Sequence, residues 1–545
     1  MKAHILVSIL FLATQLNAQV TYDRMLHADK EPQNWLTYGG NYASHRYSPL
    51  TQINKSNVAD LQLKWVRPFD TLKKTENTPL VVDGVMYTGD TSQVAAVDAA
   101  TGRVYWTYSY TVDPKGVFVL PMFKGLAISG NRLFWATLDG HLIAIDARDG
   151  HPLWDKVIAV WQKGYQLNVA PLVVKNKVIL GPATNEEGAN CWIAAYDVET
   201  GDEIWRFNTV PNPNEANAGT WAGDSWVHGG APIWVTGTYD PETNLTFWGT
   251  GNPNPGWNGD VRIHPDKDNL YSDAVVALDT DTGKLKWFYQ FTPADEFDWD
   301  SVEVPVLVDM PWQGKPRKVM LFANRNGFFY VLDRNTGQFL HGTAFTKQNW
   351  NIGFDAKGRP MKAPDHKATY EGTFIEPGVQ GGTNWYSPSY SPRTGLFYIS
   401  SWQNYSATSA KGDATWVEGQ RYTGTGRRKG GFVRPAANAP FFKTEKEGYG
   451  AVIAVNPQTG EKKWEFKMTD FTDAGVLTTG SDLVFSGGKE GNFFALDART
   501  GENLWKVGLG ATVASGPMTY SVNGRQYVAV CGGNALFVFG LPDAE

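Results

Sequence analysis

The 545-residue chain is poor in cysteine and in clustered histidine. Its two cysteines, Cys191 and Cys531, exclude a disulfide framework and a Cys-x-x-Cys-His haem attachment motif. We expect both to be buried free thiols. The nine histidines show no close ligand spacing, so a zinc site is not expected.

Positive charge and long apolar runs are also scarce. The formal net charge is −6 and no basic groove pattern occurs, which argues against a nucleic-acid partner. One apolar run, residues 5–13, follows Lys2 and precedes the small residue Ala18. This pattern predicts a secretory signal peptide over residues 1–18 and an exported protein. The alternative is an N-terminal anchor, but the run is too short to span a bilayer, and no other segment approaches that length.

Glycine and tryptophan, by contrast, are abundant and are arranged in a repeat. A strand-like run ends in Asp, a Thr-Gly or Asp-Gly turn follows, and a Trp closes the unit. Glycine permits positive φ in the turn, and Trp is large enough to fill the seam between neighbouring sheets. The clear copies are residues 96–106, 144–154, 195–205, 277–287, 454–464 and 495–505, together with 331–340, which lacks the Trp.

Repetition at this spacing indicates a solenoid or a propeller. The β-rich runs 133–138 and 328–332 favour the propeller. Residues 392–395, Pro-Arg-Thr-Gly, are interpreted as a degenerate eighth turn. We therefore predict an all-β fold, an eight-bladed β-propeller with Trp-docking repeats, formed by residues 19–545 as a single domain.

Four polar stretches lie far apart in the chain and share one chemistry: residues 181–188, 249–253, 295–300 and 324–327. If the fold brings them to a common axis, their oxygen atoms surround one hard cation, with Arg325 beside it. Such ligands suit calcium-like ions rather than zinc or copper. The candidate metal ligands are Glu186, Asn252, Asp298 and Asp300.

With these segments in this order, the chain resembles the pyrroloquinoline quinone (PQQ)-dependent alcohol dehydrogenases of the methanol and ethanol dehydrogenase type. The opening segments 34–35, 39–42, 46–50 and 78–87 also look like that family, and the resemblance runs from about Asn34 to Gly540. It implies PQQ and a metal ion on the axis of an eight-bladed propeller. It also implies a periplasmic enzyme that oxidises a small alcohol. Because the chain has no haem motif, a soluble cytochrome c is the expected electron acceptor.

The resemblance assigns roles position by position. Asp298 matches the catalytic base, which takes the hydroxyl proton of the alcohol, and Glu186 and Asn252 match metal ligands. Arg325 matches the contact to the quinone oxygens, and Trp234 matches the indole on which the flat cofactor lies. The further positions that the resemblance implies in cofactor binding are Glu76, Lys124, Asn168 and Asn384.

Several positions depart from the family pattern. Phe118 and Val119 stand where the family has a disulfide between adjacent cysteines that covers PQQ. Lys124 replaces an Arg and cannot grip a carboxylate in bidentate fashion. Asn168 and Pro232 replace cofactor-binding Thr residues. These changes leave the identity of the substrate less closely determined than that of the cofactor.

Asp300 bears on the metal. With Glu186 and Asp298 it supplies three carboxylates, and a trivalent ion balances three negative charges where a divalent ion balances two. In the family, an Asp at this position goes with lanthanide-dependent members. A lanthanide is therefore the predicted metal, and calcium is the alternative. The alternative for Asp300 itself is that it is a solvated loop carboxylate outside the site.

Two other functions stay open at this point. The same scaffold could oxidise a sugar, a polyol or a bulky secondary alcohol with calcium. It could also be a non-catalytic propeller scaffold of the cell envelope, although such a scaffold has no need of the metal set. Residues 405–448 form a Gly-rich, polar stretch with Arg427, Arg428 and Lys429, either a solvated loop between blades or an aid in docking an electron acceptor.

Overall fold

The computed structural model describes residues 19–264, 266–426 and 448–543. The predicted signal peptide and the basic run 427–429 lie outside the described residues. Eight sheets, each built on four antiparallel strands, follow one another along the chain. The predicted eight-bladed β-propeller is confirmed.

The first four blades take their strands in chain order. Blade 1 comprises Leu80–Val82, Val85–Gly89, Gln93–Asp98 and Val104–Ser109; blade 2 comprises Ala127–Ser129, Arg132–Ala136, His141–Asp146 and Pro152–Val157; blade 3 comprises Leu172–Val174, Lys177–Leu180, Trp192–Asp197 and Glu203–Asn208; blade 4 comprises Thr238–Asp240, Leu245–Gly249, Ala274–Asp279 and Leu285–Gln290.

The next three blades repeat this order, and the eighth is closed by a strand from the other end of the chain. Blade 5 comprises Val306–Trp312, Lys315–Ala323, Phe328–Asp333 and Phe339–Ala344; blade 6 comprises Ser389–Ser391, Leu396–Gln403, Tyr449–Val455 and Lys462–Lys467; blade 7 comprises Leu477–Thr479, Leu483–Gly487, Asn492–Asp497 and Asn503–Gly508; blade 8 comprises Met518–Val522, Arg525–Gly532, Ala535–Gly540 and Gln62–Pro68.

Short elements decorate the ring. The helices are Tyr22–Leu26 and the 3₁₀ turns Ala28–Lys30, Val58–Asp60, Trp161–Lys163, Ala218–Thr220, Ser225–His228 and Gly259–Val261; the extra strands are Tyr47–Ser48, Tyr165–Gln166 with Ala183–Thr184, Asn351–Phe354 with Pro360–Lys362, and Thr373–Ile375 with Ala407–Ser409. Within the described ranges, none of the helices has the length and apolarity that a membrane crossing requires. Cys191 and Cys531 are free and buried, as predicted.

The eighth blade is not formed by the turn at residues 392–395, as the repeat was interpreted, but is closed by a strand near the start of the chain. Gln62–Pro68 pairs antiparallel with Ala535–Gly540 and supplies Trp65 as the closing tryptophan of blade 8. The turn at residues 392–395 instead joins the first two strands of blade 6. The interpretation of that turn as an eighth repeat unit is wrong, because the other units join the third strand of a blade to the fourth.

The repeated tryptophans fill the seams between blades as expected. Inner strands such as Val85–Gly89 are fully buried, whereas the outer strand Val104–Ser109 has exposed positions, so the core lies between neighbouring sheets. Trp205 of blade 3 donates its indole N–H to the carbonyl of Thr280 in blade 4, 2.9 Å away. The same rings cover the turn glycines of the following blade, in the pairs Trp65–Gly102, Trp106–Gly150, Trp154–Gly201, Trp205–Gly283, Trp287–Gly337 and Trp464–Gly501.

Blade 5, whose repeat lacks the tryptophan, places His341 in that position. His341 pairs with Val331 in the register in which Trp287 pairs with Ala277 in blade 4. A Cβ on Gly460, the turn glycine of blade 6, would lie 2.7 Å from Nε2 of His341. The docking geometry is therefore kept with a smaller ring.

Candidate active site

Loops from around the ring converge on a cavity of about 770 Å³. Its lining runs in sequence from Lys74, just before blade 1, to Lys489 in blade 7. The structure brings all ten predicted site residues to this one cavity: Glu76, Lys124, Asn168, Glu186, Trp234, Asn252, Asp298, Asp300, Arg325 and Asn384.

Arg325 joins the two aspartates of the 295–300 loop. Its Nη1 donates to Oδ2 of Asp300 across 2.5 Å, and its Nη2 donates to Oδ2 of Asp298 across 3.2 Å. Its Nε donates to the Val379 carbonyl, which fixes the plane of the guanidinium. The other oxygen of Asp300 accepts from the backbone N–H of Asn252 at 2.7 Å. Asp300 is therefore a bonded member of the site and not a solvated loop carboxylate.

The backbone is unusual at two of the acidic residues. Asp298 and Glu186 have φ values of 60° and 62°, a left-handed conformation that is uncommon for residues other than glycine. Asp295 supports the loop, because its carboxylate accepts from the N–H groups of Phe297 and Trp299 at 3.2 and 3.1 Å. Strained backbone of this kind is concentrated at functional sites, where the surrounding structure enforces it.

Burial dominates the electrostatics of the acidic residues. It raises the pKa of Asp298 well above its usual range, the Arg325 guanidinium opposes the rise, and the carboxylates of Asp300 and Glu186 add to it. Burial likewise raises the pKa of Asp300 and of Glu186, against the influence of nearby arginines. Arg325 acts in the expected direction, but it does not outweigh desolvation.

The donor set suits a hard cation, since it offers three carboxylates and one amide oxygen. Asn252 donates its amide N–H to the Pro253 carbonyl, which leaves its amide oxygen as an acceptor. The carboxylate oxygens of Glu186, Asp298 and Asp300 do not all lie within 4.8 Å of one another. Among the described residues, the one group of this kind within that distance is Asp146, Asp149 and His151. Asp149 and His151 are exposed, whereas Asp146 is buried and pairs with Arg148.

The acidic residues form one wall of the cavity, and a chain of ion pairs forms a second wall, which is basic. Lys124 donates to Glu76 across 2.6 Å, and Glu76 also lies 3.6 Å from Lys74. Lys74 and Lys489 both pair with Asp473, at 2.8 and 3.1 Å. Sequence reasoning missed Lys74, Asp473 and Lys489, because they come from three different connections and no local spacing joins them. With three lysines and two carboxylates, this wall opposes the acidic one in charge.

Flat and polar groups lie between the two walls. The Lys124 ammonium is 5.3 Å from the Trp234 ring and 5.2 Å from the Trp385 ring, within cation–π range. The side-chain oxygens of Gln166 and Asn168 are buried without a hydrogen-bond partner. Asn384 is buried and bonded to Gln380 and Trp385. These groups offer a flat indole face, unpaired acceptors and positive charge to a planar, anionic cofactor.

The segment that replaces the family's disulfide divides its side chains between the cavity and the surface. Val119 lines the cavity, followed by Leu120 and Met122, whereas the ring of Phe118 faces Trp161 at 6.4 Å. Pro232 also lines the cavity. One side chain of the predicted covering pair therefore faces the cofactor position, and no disulfide is possible.

The described part of the 405–448 stretch crosses to the loops of blades 3 and 4. Tyr422 donates its backbone N–H to the Glu186 carbonyl at 2.6 Å and accepts from Asn254 at 3.2 Å. Trp416 donates its indole N–H to the Glu187 carbonyl at 2.9 Å. This part is bonded to the loops that carry Glu186 and Asn252, so it is more than a solvated connection.

Comparisons with known proteins identify relatives of this chain. The family model described as "PQQ: Glucose/ethanol/alcohol dehydrogenase, beta-propeller domain" matches residues 35–347 and 355–528. The chain is 38% identical to the dehydrogenase subunit of the quinone alcohol dehydrogenase of Gluconacetobacter polyoxogenes, over 94% of this chain and 73% of that one. It is 36% identical to the quinoprotein alcohol dehydrogenase PedH of Pseudomonas putida, over 97% and 91%.

Two solved structures of alcohol-oxidising enzymes have the same overall fold as this chain. The quinohemoprotein alcohol dehydrogenase ADHIIG from Pseudomonas putida HK5 superposes with a TM-score of 0.88 at 34% identity, over 97% of this chain and 83% of that one. A europium-containing methanol dehydrogenase superposes with a TM-score of 0.86 at 30% identity, over 95% and 100%.

Proposed function

The chain belongs to the PQQ-dependent alcohol dehydrogenases, and we propose that it is an exported, lanthanide-dependent member that passes electrons to a soluble cytochrome c. Oxidation of an alcohol with PQQ follows from the family. The metal, the electron acceptor and the periplasmic location are the proposed parts.

The cavity has the groups that PQQ and a cation require. When bound, PQQ supplies a two-electron acceptor and the cation supplies a Lewis acid beside it. Trp234 would hold the ring plane, and Lys124, with Glu76, would face the cofactor's polar edge. Glu186, Asn252, Asp298 and Asp300 would hold the cation.

Asp298 is the residue proposed to take the substrate proton. In its ionised form a carboxylate oxygen accepts the hydroxyl proton of the alcohol, and the partner of that carboxylate in this chain is Arg325, 3.2 Å away. Burial raises the pKa of Asp298, so positive charge nearby favours the ionised form that a base requires. A cation held by the same loop would add that charge.

Charge count supports the lanthanide. Two carboxylates about 4 Å apart repel by about 4 kcal/mol at an effective dielectric constant near 20. Here Asp298 and Asp300 share one arginine, and Glu186 lines the same cavity. Arg325 offsets one of the three negative charges, and a trivalent ion stabilises the remaining negative charge more strongly than a divalent ion does. The structural relative named as europium-containing is consistent with this proposal.

Export and a separate cytochrome are supported by the sequence. The apolar run after Lys2 has the length of a signal peptide, and the chain lacks a Cys-x-x-Cys-His motif. Several relatives are named quinohemoproteins, and the chain covers 75% of the length of one of them. Covalent haem on the purified protein would contradict the proposal of a separate electron carrier.

The observation that carries the proposed function is the joint bonding of Asp298 and Asp300 to Arg325 inside one cavity. The test is reconstitution of metal-free protein with PQQ plus lanthanum or calcium, followed by dye-linked oxidation assays on short alcohols, aromatic alcohols and sugars. We expect alcohol oxidation that depends on PQQ and is highest with lanthanum. Calcium-only activation would return the assignment to the divalent ion.

A second candidate is oxidation of a bulky secondary alcohol, a polyol or a sugar with calcium. The apolar wall made by Val119, Leu120 and Met122, in place of the family's disulfide, favours it over a site restricted to methanol. The same substrate panel separates the two. A non-catalytic envelope scaffold is disfavoured, because it would not need ten polar and aromatic site residues gathered in one cavity.

A further inference from the structure

One wall of the cavity is formed by an irregular segment, residues 113–122, which contributes Val119, Leu120 and Met122. Its outer surface is open to solvent, since Val117 is 80% exposed and Lys115 is also exposed. Hydrogen bonds within the segment link Gly116 to Asp113 and Met122 to Leu120. The backbone N–H of Asp113 also donates to Asp139 at 2.9 Å, which anchors the start of the segment, so the part of the wall that follows depends on few bonds for its position.

Asn185 fixes this segment with both ends of its amide. Oδ1 accepts from the backbone N–H of Val119 at 3.1 Å, and Nδ2 donates to the carbonyl of Val117 at 2.9 Å. Among the described residues, these are the hydrogen bonds between residues 117–121 and the remainder of the fold. The Asn185 side chain is 3% exposed, so the loss of its partners would leave buried polar atoms without hydrogen bonds.

Asn185 also belongs to the loop of residues 181–188 that carries Glu186, which we call the metal loop. Its own N–H donates to the Gly164 carbonyl at 2.8 Å, and the next residue is Glu186, in the left-handed conformation. The carbonyl of Glu186 accepts from Tyr422. A ligand that holds the Glu186 carboxylate therefore also restrains the backbone from which the Asn185 side chain projects.

We propose that Asn185 is a positioning residue that couples cation binding at Glu186 to the order of the wall segment 113–122. This inference rests on the proposed function, since it takes Glu186 as a metal ligand. Coupling between two sites is reciprocal, so the cation orders the wall and an ordered wall raises cation affinity. The two hydrogen bonds of Asn185 to Val117 and Val119, which we call the Asn185 bracket, link the metal loop to the wall that faces the cofactor position.

The chain contains a matched control for this bracket. Asn349 binds residues 374–376 in the same way, donating to the Phe374 carbonyl at 3.0 Å and accepting from the Glu376 N–H at 2.9 Å. Neither Asn349 nor those two residues line the cavity. Asn349→Ala removes the same pair of bonds without touching the metal loop.

Limited proteolysis reads the order of the wall directly, because trypsin cleaves after the exposed Lys115 when the segment opens. In the PQQ-loaded wild type, lanthanum or calcium should slow cleavage at Lys115 several-fold. Asn185→Ala should cleave about tenfold faster without metal, as the loss of two hydrogen bonds implies, and should lose the metal effect. Asn349→Ala should behave as the wild type does.

Asn185→Asp is the second variant, since it keeps the shape and the acceptor for Val119 but loses the donor to Val117. It should cleave at an intermediate rate without metal. Thermal unfolding of every variant confirms that it is folded, and tryptophan-sensitised terbium luminescence measures cation binding independently of turnover.

A metal effect on Lys115 cleavage that is equal in wild type and Asn185→Ala would overturn the proposal. So would equal metal-free cleavage rates in the two proteins. If wild type binds terbium and is activated by lanthanum in either case, the proposed function stands and this coupling alone fails. If wild type binds no cation, both fail.

Discussion

Lys124 donates to Oε2 of Glu76 across 2.6 Å, with both side chains buried in the wall of the cavity. Taking two charges out of water is expensive, and each is tolerated because the other is present. Lys74 gives Glu76 a second, longer contact at 3.6 Å, but Lys124 forms no ion pair with another carboxylate in the described ranges. The two side chains therefore form one electrostatic unit.

Removing one member of this unit should cost more than removing both. Glu76→Gln should lower the free energy of unfolding by about 3 kcal/mol, because it leaves the Lys124 ammonium buried without its carboxylate. The double variant Glu76→Gln/Lys124→Met should recover part of that loss. Urea denaturation of the cofactor-free proteins measures both values, and strict additivity would show that the pair is not coupled.

Asp298→Asn should abolish turnover while PQQ binding is retained. The amide cannot accept the hydroxyl proton, and loss of a general base typically costs about 10²- to 10⁴-fold in rate. Dye-linked steady-state kinetics give the rate, and absorbance titration gives cofactor binding. A variant that turns over near the wild-type rate would show that another group takes the proton.

Asp300→Ala should change the metal preference. The methyl group removes one negative charge and one oxygen donor, and it frees the Nη1 of Arg325. The lanthanum response should be lost, while a weak calcium response is kept or gained. Activity is measured with PQQ saturating so that only the metal varies. Equal lanthanum activation in wild type and variant would place Asp300 outside the metal site.

The tryptophan–glycine seams predict a difference between two glycine substitutions with the same backbone geometry. Gly283 and Gly395 have φ values of 69° and 67°, but an added Cβ meets the Trp205 ring at 2.5 Å only at Gly283. Gly395→Ala carries the backbone strain alone, about 1 kcal/mol. Gly283→Ala should be about 2 kcal/mol less stable than Gly395→Ala in urea denaturation, because overpacking adds to the strain. Equal losses would show that the seam yields to the extra atom.

His366 predicts a specific loss of stability in mild acid. It packs on Phe297 and Trp299 with a buried Nε2, and burial together with the nearby Lys362 lowers its pKa to about 4. Because the unfolded chain binds this proton near pH 6.5 and the folded chain does not, stability falls as the pH drops from about 6.5 to about 4.

His366→Phe removes this titration at nearly constant shape. Between pH 7 and pH 5, the wild type should lose on the order of 2 kcal/mol more unfolding free energy than the variant. Urea denaturation at the two pH values measures the difference, and carboxylates common to both proteins cancel. Parallel pH profiles would show that His366 takes up its proton as readily in the folded protein as in the unfolded chain.

The sequence predicted the fold because each blade repeats a local signal. A glycine turn and a tryptophan a few residues apart are visible without tertiary information, and the tryptophan at 205 meets the glycine at 283 as the repeat implies. The repeat pattern was misleading where a similar turn sequence occurs at another place in the blade. Residues 392–395 read Pro-Arg-Thr-Gly but join different strands, and His341 gave no indication that it replaces a tryptophan.

The site divides in the same way. The acidic segments carry their chemistry in short stretches, so sequence alone is enough to group Glu186, Asn252 and Asp298. Only part of the basic wall was predicted: Glu76 and Lys124 were named from the sequence, but Lys74, Asp473 and Lys489 meet only when the last blades close against the first. The Asn185 bracket escaped for a similar reason, since its partners are backbone atoms of an irregular segment.

The pairing of Gln62–Pro68 with Ala535–Gly540 has a consequence for biosynthesis. The first strand leaves the ribosome long before its partner exists, and at about 5–20 residues per second the wait approaches half a minute or more. During that time it is an unpaired edge, a template for association with other chains. A protein built this way gains from a chaperone that holds the early strand until the last one arrives.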